Sequence, residues 1–219
     1  GPQQLRGDLR FERRCTCGEL AGDCPVWGPL LAWLPAHDDR PLAEKLNRLI
    51  EPLTATSPRW LVESFQADEQ LLEAQALGRP VRVIQLTRDV RSWVHSESRR
   101  GVERHGRGGT VGWRSMLRWW RVNRRWEQRL NRSGCAVFRL GYEELALAPE
   151  QALRQLCAWL EVGFDPAMLQ PGLNSSSHIV SGNRMRFDPG QSQAIRYDAA
   201  WLSSLSLSLR VAPLLPAVA

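Results

Sequence analysis

Apolar residues recur along this chain at two spacings. Trp27, Leu30, Leu31 and Leu34 repeat at helical intervals and predict a short amphipathic helix over 26–34. Pro35 and the polar residues after it predict a loop. Pro41 then opens a second helix from Leu42 to about Glu51, with Leu42, Leu46, Leu49 and Ile50 on one face. Arg59–Phe65 reads as a strand, followed by a helix from about Asp68 to Leu77 that Gly78 closes. A β-branched run over 81–86, set off by Gly78-Arg79-Pro80, predicts a buried strand that passes directly into Arg88-Asp89 and a helical segment. Residues 112–132 form a long helical pattern, and Cys135–Leu140 form a further strand ending at Tyr142-Glu143. Pro149 starts a helix to Glu161 whose stripe of Leu153, Leu156, Cys157 and Leu160 faces a core. From Phe164 to Arg196 the chain is rich in Gly, Ser and Pro, and a last helix begins near Asp198. The strand at 59–65, the helix after it and the strand over 81–86 imply a parallel pair with a crossover connection, hence an α/β fold. No repeat or composition break divides the chain, so residues 1–219 read as a single domain.

Charge refines this picture. The net charge is +6, and Lys45 is the only lysine, so the basic charge is almost all arginine. Guanidinium groups favour bidentate contacts with anions. Arg114, Arg118, Arg121, Arg125, Arg129 and Arg132 recur at steps of three or four, on one helical face. That face reads as solvated, opposite a tryptophan-rich core side, or as an electropositive wall that steers an anion. Nucleic acid is not the expected partner. Neither a signal peptide nor a spanning helix is apparent, and the chain reads as cytoplasmic.

Five cysteines in 219 residues do not make a disulfide framework. Cys15, Cys17 and Cys24 cluster. They read as free structural thiols, with three zinc thiolates or a Cys17–Cys24 disulfide as alternatives. No fourth ligand is evident in the sequence, and no metal is expected. Cys157 belongs to a core.

The sharpest chemical signal is Arg88. It sits at the carboxyl end of a strand, where open α/β sheets hold ligands. Ser96 follows eight residues later, about two helical turns, on the same side. A guanidinium and a hydroxyl near a helix start suit a phosphate. A structural Arg-Asp pair ending a strand is the competing reading.

The segment Leu86-Thr87-Arg88-Asp89-Val90-Arg91, followed by Ser96, resembles the 3′-phosphate-binding segment of sulfotransferases that use 3′-phosphoadenosine 5′-phosphosulfate. Three further segments resemble that family in the same order. Cys15-Thr16-Cys17-Gly18 through Cys24-Pro25-Val26-Trp27 is similar to a cysteine-rich segment of bacterial members. Tyr142-Glu143-Glu144-Leu145 with Pro149 is similar to a Tyr-Glu-Asp-Leu…Pro element. Ser177 through Phe187 is similar to a late Gly-Asn-Pro-x-Arg loop, with Arg184 in place of the proline.

The resemblance implies a three-layer, P-loop-NTPase-like parallel sheet flanked by helices, missing its first strand and P-loop. It implies transfer of a sulfuryl group from that donor to a hydroxyl or amine of a small molecule or glycan. It carries donor-binding roles onto Arg88, Ser96, Arg186, Gly182 and Tyr142. Candidates for the proton-accepting group are Glu63, at a strand end that resembles the family's Val-Asp-Ser-Ser-Lys, and His178. This chain lacks the second Ser and the Lys of that element. It also shows no phosphosulfate loop before Cys15, and without such a loop the leaving phosphate loses its main stabilisation. The expectation is therefore a fragment whose nucleotide clamp persists while its reactive half is absent. A degenerate, non-enzymatic relative that binds an anionic nucleotide, a glycan or a protein is the alternative. A nucleotide kinase is disfavoured, because Gly-x-x-x-x-Gly-Lys-Ser/Thr does not occur.

Overall fold

Two short strands and the helices packed on them organise the second half of the chain. The computed structural model describes residues 12–54, 59–62, 80–105, 109–170, 177–180, 194–204 and 207–215. It divides into two compact units, Gly1–Val81 with Pro171–Gln193, and Arg82–Gln170 with Ala194–Ala219.

In the second unit, β1 (Arg82–Thr87) pairs in parallel with β2 (Ala136–Gly141). The register sets Arg82 opposite Ala136 and Thr87 opposite Gly141. A parallel pair needs a long crossover, here supplied by α1 (Val90–His105) and α2 (Gly109–Ser133). These two helices pack closely where side chains are smallest. A Cβ on Gly101 would meet Val111 Cγ2 at 2.9 Å, and one on Gly112 would meet Ser98 Oγ at 3.2 Å. Val94, Met116, Leu209 and Ala212 form the core of this unit. Leu209 comes from α3 (Leu207–Val211), which packs on both crossover helices. After β2 the chain turns at once into α4 (Tyr142–Leu147) and then α5 (Pro149–Leu160). Arg82 ties the start of β1 to the end of α5, donating to the Trp159 carbonyl and to Glu161 Oε1. A cation there complements the unpaired carbonyls of a helix C-terminus.

The first unit holds α6 (Trp27–Trp33), continued by a 3₁₀ turn (Leu34–Ala36), and α7 (Leu42–Thr54). Leu30, Leu31 and Leu34 are buried with Cys15, Ala21, Cys24, Val26 and Val180. Each fully buried leucine contributes about 1.5–3 kcal/mol.

Several expectations need correction. The first is the buried strand over 81–86. Ile84 is 37% exposed and Leu86 56%, so one face of β1 is open. An apolar run specifies a strand but not what covers each of its faces. The helix opened by Pro41 continues to Thr54, with Pro52 inside its last turn. Residues 59–62 form no strand, and the rest of that prediction, with the Asp68–Leu77 helix, lies outside the described residues. The helix expected near Asp198 is a 3₁₀ turn, Ala200–Ser203, before α3. The basic helix is present with an exposed arginine face, but its tryptophans are half-buried or exposed, and Met116 and Leu130 carry the burial. The architecture is α/β, a small parallel sheet flanked by helices. Among the described residues no helix is long and apolar enough to cross a membrane.

Candidate functional site

The register of β1 against β2 places Arg88 and Tyr142 side by side, each the first residue beyond its strand. The Arg88 guanidinium lies over the Tyr142 ring, 4.7 Å from its centroid. Its Nη2 donates to Asp198 Oδ2 at 2.9 Å. Its backbone carbonyl accepts from Trp119 Nε1 at 3.0 Å. The guanidinium is thus held on two sides and the backbone on a third, yet Nε is buried and makes no hydrogen bond. A buried guanidinium N–H without an acceptor costs free energy unless a ligand supplies one.

Tyr142 is more than a flat surface. Its hydroxyl donates to the Arg196 carbonyl at 3.2 Å and accepts from the Asp198 backbone N–H at 3.0 Å. Those bonds bring residues 196–198 to the strand ends from more than fifty positions away. Asp198 also caps the 3₁₀ turn, accepting from Ala200 N. That N–H, opposed by burial, and then the Arg88 guanidinium hold its carboxyl below the usual range.

A second ion pair sits beside the first. Asp89 accepts from the Arg91 backbone N–H at 2.7 Å and from the Arg91 guanidinium, with Nη2 at 2.6 Å. Burial pushes the Asp89 carboxyl up, and the Arg91 bonds outweigh it and bring the group below its ordinary value. Arg91 in turn lies 4.3 Å from the centre of the Trp201 ring. The Asp89 backbone N–H donates to Glu143 Oε1 at 3.1 Å, which joins the two strand ends. The Arg-Asp pairing envisaged for Arg88 is therefore real but belongs to Arg91, and Arg88 pairs with the distant Asp198.

Ser96 lies half-buried on α1, one turn beyond the buried Ser92. Ser92 Oγ makes no hydrogen bond. Glu63, Gly182 and Arg186 lie outside the described residues. Asp198 and Trp201 were not singled out by the sequence, because nothing local marks a carboxylate that pairs 110 positions away.

A model of the sulfotransferase family matches residues 34–166, more than half of the chain. The chain belongs to this family. Among solved structures it is similar to a sulfotransferase domain from the curacin biosynthetic pathway, with 22% identity and a TM-score of 0.50. The match covers 79% of this chain and 66% of that one, so the chain spans just under two thirds of that structure's length. The likeness is one of fold. No curated protein matches the chain significantly.

In the first unit of this sulfotransferase-family chain, the three N-terminal cysteines meet His178. The four potential ligand atoms lie within 4.8 Å of one another. Cys24 Sγ is 3.3 Å from His178 Nδ1 and 3.7 Å from Cys15 Sγ. Burial pushes the Cys15 thiol up to about 12. All five cysteines are free. Cys157 is buried beside the Met168 thioether, as its apolar stripe implied. The same unit has an open cavity of about 540 Å³ lined by Trp33, Glu44, Asn47, Arg48, Glu51 and Thr54.

Proposed function

We propose that this chain carries the donor-binding part of a sulfotransferase that uses 3′-phosphoadenosine 5′-phosphosulfate, on a P-loop-like sheet. The reaction would move a sulfuryl group to a hydroxyl or amine of a small molecule or glycan. The observation that carries this reading is the Arg88 guanidinium, held over the Tyr142 ring at the strand ends with a buried Nε that has no acceptor. A doubly charged phosphate fits such a donor, and a position beyond the carboxyl ends of parallel strands suits a nucleotide.

When bound, the donor supplies the sulfuryl group and an adenosine bisphosphate leaving group. Arg88 would donate to the 3′-phosphate, with Ser96 adding a hydroxyl from two turns along α1. The N-terminus of α1 adds the partial positive charge of its backbone N–H groups. Tyr142 would lie near the adenine. Gly182 would allow close backbone approach to the nucleotide, and Arg186 would supply a further cation. Glu63 would accept the acceptor's proton. His178 packs against the cysteines and is left out of that path.

Calorimetric titration of the chain with adenosine 3′,5′-bisphosphate tests the donor assignment. The wild type is expected to bind. Arg88→Ala should weaken binding by about 10- to 100-fold, the loss for a hydrogen bond to a charged group. A correctly folded wild type that does not bind, or an Arg88→Ala chain that binds equally well, overturns the assignment. Mass-spectrometric screening of hydroxyl and amine acceptors with donor present then identifies the product.

A further inference from the structure

We propose that Cys15, Cys17, Cys24 and His178 form a closed, structural zinc site. The four ligand atoms form one compact group. With Zn–S near 2.3 Å and Zn–N near 2.0 Å, a tetrahedral site has S···S edges of about 3.8 Å and S···N edges of about 3.5 Å. The Cys15–Cys24 separation is 3.7 Å and the Cys24–His178 separation 3.3 Å. A small adjustment of side-chain torsions would admit the ion.

The backbone is already shaped for this. Gly18 has a φ of +99°, a conformation that glycine adopts without strain, and it turns the chain just after Cys17. The Gly18 N–H donates to the Cys15 carbonyl at 3.0 Å, and the Cys15 N–H donates to the Glu19 carbonyl at 2.8 Å. This tight knuckle sets two thiols on one side. The Cys24 N–H donates to the Leu20 carbonyl at 2.9 Å and brings the third.

The fourth ligand comes from 154 residues away and is held by a separate strap. Thr16, between the first two cysteines, bonds both sides of His178. Its hydroxyl donates to the Ser177 carbonyl at 2.6 Å and accepts from the Ile179 N–H at 2.9 Å. Its backbone N–H donates to the Ile179 carbonyl at 3.2 Å. Trp27 Nε1 donates to the His178 carbonyl at 2.6 Å. Val180 then enters the same core as Cys15 and Cys24. These bonds hold the backbone on both sides of His178 and leave its ring nitrogens unused.

Three thiolates and one imidazole select a borderline-soft ion over magnesium or calcium, and four protein ligands leave no open position for catalysis. The ion would join the knuckle at 15–24 to residues 177–180, which lead in sequence toward Gly182 and Arg186.

The test uses the full chain, purified under reducing conditions with zinc in the growth medium. Elemental mass spectrometry should find about one zinc per chain. Replacement by cobalt(II) should give the intense visible bands of a tetrahedral site and thiolate-to-cobalt charge transfer in the near ultraviolet. Cys17 is exposed, so Cys17→Ser should fold and lose its zinc to a chelator that leaves the wild type loaded. His178→Ala should do the same and change the cobalt bands. Cys135→Ser, just before the strand β2, should keep the ion. A folded wild type that takes up neither zinc nor cobalt overturns the site. So do Cys17→Ser and His178→Ala chains that both keep wild-type metal content and spectrum.

Discussion

Arg88 and Arg91 are three residues apart and face different tasks because their carboxylate partners differ. Arg91 closes a local pair with Asp89, two positions away, where the sequence suggested Arg88 as the partner. Arg88 meets Asp198, an interaction with no local signature. Asp89 yields a prediction about acid stability. Its carboxyl is held below the unfolded value of about 3.9 by Arg91, against the effect of burial. Between the folded and unfolded values the unfolded chain binds the extra proton. Stability from this pair is therefore complete above about pH 4 and is lost as pH falls through the depressed folded value. Urea melts should show the midpoint dropping below pH 4. Asp89→Asn should lower the midpoint at neutral pH and flatten that acid slope, whereas an unchanged slope would assign the effect to other carboxylates. His178 makes the opposite point about legibility. The sequence presented it as a candidate for proton transfer or nucleotide contact, and three cysteines lacked a fourth ligand. The fold puts those two loose ends together.

The strands and crossover helices were the most legible elements. The Arg88 strand, the Cys135 strand, the long arginine-striped helix and the Pro149 helix all occur within a residue or a few of the periodic pattern. Strand–helix–strand order implied a parallel pair between the Arg59 and Arg88 strands, whereas the parallel pair in the structure joins the Arg88 and Cys135 strands. What periodicity left out was burial. The open face of β1 and the half-buried tryptophans of α2 depend on which neighbours arrive, and side-chain chemistry alone does not name them. Tight approaches were also invisible. Gly28, in the first turn of α6, faces the Gly22 carbonyl so closely that an added Cβ would sit 2.5 Å from its oxygen. Backbone cannot swing aside as a side chain can. Gly28→Ala should therefore destabilise the chain by about 1–3 kcal/mol despite alanine's better helix propensity, measured as a lower urea midpoint. An unchanged midpoint would mean that the turn at 22–24 adjusts freely.

Two compact units make up the molecule, each drawing on segments far apart in sequence. The first is completed by residues 177–180 and the second by 194–204 and 207–215. Loss of the proposed zinc should therefore act locally. Chelator with reductant should raise hydrogen–deuterium exchange at 13–24 and 177–180 and leave the strands at 82–87 and 136–141 protected. Equal loss of protection in both regions would show instead that the two units unfold together. Local order along the chain was enough to specify the α/β class, most element positions, the family and Arg88 as an anion-binding candidate. Each of these depends on residues within about one element of each other or on motifs with short internal spacing. The partners of Arg88 and the fourth ligand beside the cysteines depend on contacts across 110 and 154 positions. Hydrophobic burial brings such segments together without regard to their separation along the chain. Only the folded chain decided that Asp198 and Tyr142 hold Arg88, and that His178 belongs with the three thiols.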